Sequence, residues 1–362
     1  MWDRVPGQER AVGLLQRAVE RPVHSYLLAG PRGSGVEEAA RCFAASLIAP
    51  DGDERAWDLV LRARHPDVVE VDPPETQLRV ETAKVIIEEA HRSPIEGDRK
   101  VVVLFDAERL NEPAANKLLK TIEEPPDTTH IVLLTSAPDE LLATIRSRCQ
   151  RIDFGPVGDA TVRTALVDAG VDPDAAAVVA RVAGGRLDRA RALAGRLGPL
   201  RAAFVDAAAA LDGTGAAAAE QAEQLQGAIA ATMAELEAAH DEEAEVLAAE
   251  LEDAGYPERT ANALKRRLVE RQKREHRRAR TDALVEGITA LESVYRDALA
   301  GADAPLLNTD RPVVAARPRA CDEALDVCRE ARADLGEFNP NEGLLLERLL
   351  LHLPGSALNP PR

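Results

Sequence analysis

The chain has 362 residues, a formal net charge of −17, and 45% hydrophobic but only 3% aromatic residues. That length suits two or three domains with cores of their own, without stapling. Scarce aromatics beside abundant Ala and Leu exclude an all-β sandwich in favour of packed helices, and the negative charge excludes nucleic-acid binding through the average field, so any DNA contact has to be local.

Over the first 155 residues, short apolar strands alternate with amphipathic helices, the pattern of a parallel sheet flanked by helices. Tyr26–Ala29 is a predicted strand running into Gly30-Pro31-Arg32-Gly33-Ser34-Gly35, with a helix from Glu37 to Ile48. Val68–Val71 is a second strand, closed by Pro73-Pro74, and Leu78–His91 has helical spacing through Val80, Ala83, Ile87 and Ala90. The run Lys100–Phe105 predicts a buried strand. Ala115, Leu118, Leu119 and Ile122 then share one helical face, which Pro125-Pro126 terminates. Ile131–Leu134 and Ile152–Phe154 read as two further strands, and Leu141–Cys149 between them reads as a helix ending in a basic-polar triplet.

From Gly158 the strands stop and Ala-rich helical text begins, broken at Gly184-Gly185 and ending near Gly198. Beyond the connector Asp212-Gly213-Thr214-Gly215 lie two long predicted helices, about Ala216–Ala254 and about Arg259–Leu299. The second carries an apolar face at Leu284, Ile288, Leu291, Tyr295 and Leu299. Cys42, Cys149, Cys321 and Cys328 form no C-x-x-C pair, which argues against a disulfide framework and a zinc site and suits a reducing cytosol. Cys321 and Cys328, seven apart on a helix, read as small buried apolar residues. The start Met1-Trp2-Asp3-Arg4 lacks a basic region ahead of an apolar one, and no run approaches a membrane span; the expectation is a cytoplasmic protein with no membrane partner.

The segment Gly30–Glu37 fits the glycine frame of G-x-x-x-x-G-K-[ST] but places Val36 where the lysine belongs and Glu37 where the hydroxyl belongs; from the loop alone, Gly30, Gly33 and Gly35 read equally as a plain strand-to-helix turn. A carboxylate about 5 Å from a phosphate oxygen costs on the order of 3 kcal/mol at an effective dielectric of about 20, so hydrolysis by this chain is not expected. Asp106 ends the Val101–Phe105 run where a nucleotide fold keeps its Mg²⁺-associated carboxylate, or else it is an ordinary strand-end carboxylate capping a turn. The water-polarising glutamate of many such motors would follow it directly, and Ala107 stands there, with Glu108 one residue too far along. Thr135, at the end of its strand, either senses a γ-phosphate through water or bonds the Ser136-Ala137-Pro138 turn. Lys265–Arg280 holds nine Lys or Arg against Glu270 and Glu275. Such a stretch is either a DNA-facing footprint or a solvated helix balancing acidic partners, and its lack of interleaved aromatics favours the second.

Taken together, the opening Val5-Pro6-Gly7-Gln8, the glycine loop, Asn116-Lys117-Leu118-Leu119-Lys120-Thr121-Ile122-Glu123-Glu124-Pro125-Pro126 and Ser147-Arg148-Cys149 resemble the delta-prime family of bacterial DNA polymerase III clamp-loader subunits. The resemblance is specific over about residues 1–155 and architectural beyond. It implies an α/β AAA+ P-loop nucleotide fold over 1–156, a small helical lid over 157–205 and an all-α collar over 206–362. Arg148 within Ser147-Arg148-Cys149 would be an arginine finger set against ATP on a neighbouring motor; taken without that context, Arg146 and Arg148 read as a solvated or salt-bridged pair. The partners would be gamma/tau and delta subunits in a five-subunit ring, with the sliding clamp and primer-template DNA reached through the complex. Gly30, Gly33, Gly35, Val36, Glu37, Asp106 and Thr135 would mark a degenerate nucleotide site, expected to be empty. No cofactor or metal is expected, because Ile48–Leu61 lacks the zinc cysteines of many relatives. In the lid, Asp188 falls where motors tend to place an ATP-sensing arginine, unless a slip of one makes Arg189 the equivalent. Alternative readings are an ATP-hydrolysing motor of the gamma/tau type and a DNA-binding scaffold on a degenerate AAA+ fold.

Overall fold

Five runs of mainly apolar residues, β1 (Ser25–Ala29), β2 (Val68–Val71), β3 (Lys100–Leu104), β4 (Thr129–Thr135) and β5 (Gln150–Asp153), form one sheet in the order β2-β3-β4-β1-β5. Every pairing is parallel. The computed structural model describes residues 1–72, 77–253, 258–300, 306–309, 317–338 and 340–354. Strands β1, β3 and β4 are buried along their whole length, because helices cover both faces of a parallel sheet.

The helices of this region are α1 (Glu9–Glu20), α2 (Val36–Ile48), α3 (Glu54–Leu61), α4 (Val80–Ala90), α5 (Glu112–Glu123) and α6 (Ala143–Arg146). The two-residue period of the strands sorts their side chains between two cores. Tyr26, Leu28, Val101, Val103, Val132 and Leu134 join Leu15 of α1 and Phe43 of α2. Leu27, Val102, Leu104, Ile131 and Leu133 join Ile86 of α4 and Leu118 and Ile122 of α5 on the other face. Tyr26 meets Phe43 edge-on, with ring centroids 4.7 Å apart.

The structure corrects several sequence-based readings. Leu141–Cys149 is not one helix: only Ala143–Arg146 is helical, since Leu142 has extended backbone and caps a single turn. Helices α1 and α3 were not anticipated; α3 starts where the Asp53 carboxylate accepts from the Arg55 and Ala56 amides. Strand β3 ends at Leu104, one residue short of Phe105, and β5 spans Gln150–Asp153 rather than Ile152–Phe154. Pro73-Pro74 lies outside the described residues.

After the sheet follow α7 (Asp159–Asp168), α8 (Pro173–Ala183), α9 (Leu187–Ala194), α10 (Leu197–Ala210), α11 (Gly215–Asp253), α12 (Glu258–Ala300), α13 (Pro318–Phe338) and α14 (Glu342–His352). Contacts divide the chain into two compact units. The first comprises Met1–Ala165, Gly185–Arg189 and Tyr256–Leu268; the second comprises Leu166–Gly184, Ala190–Gly255 and Val269–Arg362. The second is held by one apolar core through α10, α11, α12, α13 and α14 that includes Leu284, Ile288, Leu291, Tyr295, Cys321 and Cys328. Leu299, expected on the same face, is exposed in the last turn of α12.

Gly287 of α12 leaves no room for a side chain, because a Cβ there would fall against the fully buried Phe204 ring of α10. Gly287→Ala is therefore expected to destabilise the protein by about 1–3 kcal/mol through overpacking. In urea titration its midpoint should fall, and the double variant Gly287→Ala, Phe204→Leu should recover part of the loss.

Candidate functional site

The register of the sheet assembles the site. Ala29 stands beside Thr135, and Leu104 beside Leu133, so the chain leaves β1, β3 and β4 at one carboxyl edge. In open α/β sheets this is where ligands bind. The Gly30 amide bonds the Thr135 carbonyl at 3.0 Å, and the Phe154 amide bonds the Ala29 carbonyl at 2.7 Å. Gly30 has no room for a side chain: a Cβ would lie 2.6 Å from Phe154 Cβ and 3.0 Å from Ser34 Oγ. Gly33 and Gly35 have φ of +75° and +91°, a backbone open to glycine at little cost. Buried Gln8, from the opening motif, donates to the Ser34 carbonyl at 2.9 Å and the Gly155 carbonyl at 2.7 Å, clipping the loop to the exit of β5.

This loop has the frame of a phosphate cradle and the wrong chemistry within it. Val36, in the lysine position, is buried in the apolar core beneath the loop, while Glu37 is exposed on the first turn of α2. The start of α9 closes over the loop: the Leu187 amide donates to the Gly33 carbonyl at 2.9 Å, and a Cβ at Gly33 would collide with the Asp188 carboxylate. Arg186 Nη2 holds that carboxylate at 2.8 Å. Asp106, with φ of +48°, is engaged at 3.1 Å by Arg32 of the loop and at 3.1 Å by Arg109. Two guanidiniums thus occupy the carboxylate that would be associated with Mg²⁺. Glu108 turns away, its Oε1 accepting from the Ser136 amide at 3.2 Å and hydroxyl at 2.8 Å. Thr135 is buried, and its hydroxyl accepts from the Ala137 amide at 3.2 Å. These residues do not fit Mg-ATP: the cation aimed at the phosphates is replaced by a buried methyl pair, and a carboxylate lies against the loop.

The second feature is an exposed turn. Ile145 is fully buried, Arg146 Nη1 donates to the Pro138 carbonyl at 3.1 Å and pairs with Asp139 at 2.9 Å, and Cys149 packs partly buried against the α4–α5 core. Between these anchors Ser147 and Arg148 are exposed. The Arg148 Nε donates to Glu123 at 2.8 Å and its Nη1 to the Thr144 carbonyl at 3.0 Å. Burial pushes the Cys149 thiol up to about 12, which suits an anchor and not a nucleophile.

Within Lys265–Arg280, at least four of the nine Lys or Arg, namely Arg267, Arg271, Lys273 and Arg280, pair with carboxylates of the chain. Inside the first unit Arg267 reaches Glu89 at 3.2 Å, and Glu89 also meets the buried Lys100 at 3.5 Å. Inside the second unit, Arg271 pairs with Glu243 at 2.5 Å, His276 with Glu237 at 2.9 Å, and Arg280 with Glu342 at 2.9 Å. The balancing acids belong to α11 and α14 of the same molecule. Among the described residues no group of three or more His, Cys, Asp or Glu is placed to hold a metal ion, and no helix is long and apolar enough to cross a membrane.

Sequence reasoning missed the roles of Arg32, Arg109, Arg186, Gln8 and Glu123. Arg32 and Gln8 stand inside motifs already singled out, so their positions were visible. Their partners, 74 residues away for Arg32 and 147 for Gln8, were not.

The class is thus a parallel α/β fold whose glycine loop carries Val36 in place of a lysine and which exposes an arginine turn at Ser147-Arg148. The family described as DNA polymerase III, delta subunit, matches residues 7–158. The DNA polymerase III subunit delta' of Bacillus subtilis is 31% identical over 183 residues, covering 48% of this chain and 56% of that protein. The subunit delta' of Pseudomonas aeruginosa is 37% identical over 135 residues, covering 35% of this chain and 41% of that protein. The DNA polymerase III subunit tau of Bacillus subtilis is 33% identical over 162 residues, covering 42% of this chain and 29% of that protein. Over residues 7–158, less than half of the chain, the sequence is thus similar to the DNA polymerase III delta-subunit family, with delta' subunits among the relatives it matches. The chain spans about half the length of the delta' relatives it matches.

Burial also pushes Cys42 up to about 11 and Cys328 up to about 12, and it raises Cys321. At pH 8 a thiol of pKa about 12 is only about 10⁻⁴ ionised, so Cys149 should react with a disulfide reagent about a thousandfold more slowly in the native protein than in the unfolded chain. Labelling followed by peptide mass analysis checks this for each cysteine.

Proposed function

We propose that this chain is a non-hydrolysing, delta-prime-type subunit of a DNA polymerase III clamp loader, contributing Arg148 in trans to the ATP site of a neighbouring motor subunit. The observation that carries the reading is the contrast within one fold: Val36 is sunk in the core where the phosphate-binding cation belongs, while Arg148 is presented on an anchored, exposed turn. A guanidinium delivered by a neighbour neutralises charge developing on the γ-phosphate, and such a group needs no nucleotide site on its own chain. Ser147 and Cys149 frame it, the first exposed and the second as an anchor.

On this reading residues 1–156, 157–205 and 206–362 act as nucleotide-fold domain, lid and collar. Gamma/tau and delta subunits complete a five-subunit ring in the cytoplasm, and sliding clamp and primer-template DNA are met through that ring. The chain itself takes neither ATP nor metal as a working cofactor. Similarity to tau favours a motor, against which stand Val36, Glu37 and Ala107. The internal pairing of Lys265–Arg280 weighs against a free DNA-binding surface.

Arg148→Ala should leave the subunit folded and incorporated while lowering clamp-stimulated ATP turnover of the reconstituted loader about tenfold or more, as loss of a transition-state donor does elsewhere. Unchanged turnover would remove the role. Separately, Val36→Lys with Glu37→Thr should confer no turnover on the isolated chain, because Ala107 still lacks the water-orienting carboxylate; steady hydrolysis in a coupled assay would overturn the non-motor reading.

A further inference from the structure

Glu123 is the last residue of α5, just ahead of Glu124-Pro125-Pro126, and its carboxylate meets the Nε of Arg148, 25 residues further along the chain. A carboxylate at a helix C-terminus is disfavoured by the partial negative charge of the unpaired carbonyls, and Glu124 adds a second negative group there. A guanidinium placed beside them is favoured by all three. Arg148 receives a second hold from the Thr144 carbonyl at Nη1, supplied by α6 itself. Two bonds from two elements fix the plane of a rigid fork, whereas one bond would leave it free to turn. Among the described residues Nη2 has no hydrogen-bond partner, which leaves it open to an acceptor from outside the chain.

We infer that Glu123 is a positioning residue for Arg148, fixing the guanidinium plane from the end of α5 so that its Nη2 edge is presented to the phosphate of a nucleotide held by a neighbouring subunit. This rests on the reading that Arg148 acts in trans. The hold is light by design of the surface: Arg148 is 34% and Glu123 54% exposed, and an ion pair so open to water is weak and screened by salt. It biases the arginine's rotamers before the subunits meet and yields to a phosphate, which carries more charge. The contribution therefore lies in orientation, and its loss is small beside loss of the arginine itself.

The test uses the reconstituted loader and measures kcat and KM for ATP with clamp and primed DNA present. Glu123→Ala should lower kcat about 2- to 5-fold, the range expected of an exposed ion pair, with KM for ATP changing less than kcat. Glu123→Gln, which keeps an acceptor oxygen without the charge, should recover at least half of that loss. In the Arg148→Ala background Glu123→Ala should have no further effect, because a positioning residue has nothing left to position. Equal losses in both backgrounds would assign Glu123 a merely structural role and overturn the inference. A rise in turnover for Glu123→Ala would also overturn it, by showing that the carboxylate masks the arginine. If Arg148→Ala lowers turnover and Glu123→Ala does not, this inference fails while the trans reading stands; if Arg148→Ala itself has no effect, the trans reading fails and takes this inference with it. Should Glu123→Ala not assemble, judged by gel filtration, Glu123→Gln at raised salt supplies the same comparison.

Discussion

The parallel pairing of β1 with β4, Ala29 beside Thr135, is the constraint on which the carboxyl edge of the sheet depends. With the β3–β4 pairing, Leu104 beside Leu133, it brings the glycine loop, Asp106 and the Thr135 turn to one edge although they are far apart in the chain. Parallel strands need long crossovers, so each strand end is followed by a loop entering a helix, and these loops gather where phosphates are bound in working nucleotide folds. Here the same geometry collects a buried valine, an aspartate shared by two arginines, and a carboxylate lying over Gly33. The glycine frame stands here without its lysine, and arginines as well as carboxylates line its surroundings.

The frame has a physical reason independent of nucleotide. The loop is a junction: Gln8 ties it to Gly155, Leu187 hydrogen-bonds it from α9, and Val36 feeds the core shared by α1, α2 and the sheet. Positive φ at Gly33 and Gly35 is required by that packing whether or not anything is bound. A glycine frame is therefore weak support for nucleotide chemistry by itself, and the side chains between and after the glycines decide the matter.

Charge follows a similar logic in the helices beyond the sheet. A net charge of −17 coexists with a strongly basic stretch in α12 because acids on α11 and α14 face it inside the second unit. Pairs of this kind are individually weak where they are exposed, yet as a series they give the stretch a bonding role within the molecule. Arg148 differs in kind. It is held by one exposed carboxylate and one carbonyl on a turn whose neighbours Ile145 and Cys149 are packed inward, so the backbone is fixed while the guanidinium faces water.

Sequence alone determined the parallel α/β region, the positions of β2, β3 and β4 to within a residue or two, the long helices, and that Val36 stands where a phosphate-loop lysine would. These are local facts: apolar runs of strand length, helical spacing and the identity of a residue within a short motif need no distant partner to be read. Helix α1 was legible but missed, since Ala11, Leu14, Leu15 and Ala18 have helical spacing, whereas α3 and the single turn of α6 are short, and capping by Asp53 or an extended Leu142 only becomes informative once neighbours are placed. Tertiary structure alone decided that Arg32 and Arg109 share Asp106, that Asp188 covers Gly33, that Glu123 holds Arg148, and that the basic stretch of α12 is answered by Glu237, Glu243 and Glu342. A charge announces its sign in the sequence, but its partner is chosen by distance, and distance is set by the sheet register and helix packing that bring remote residues together.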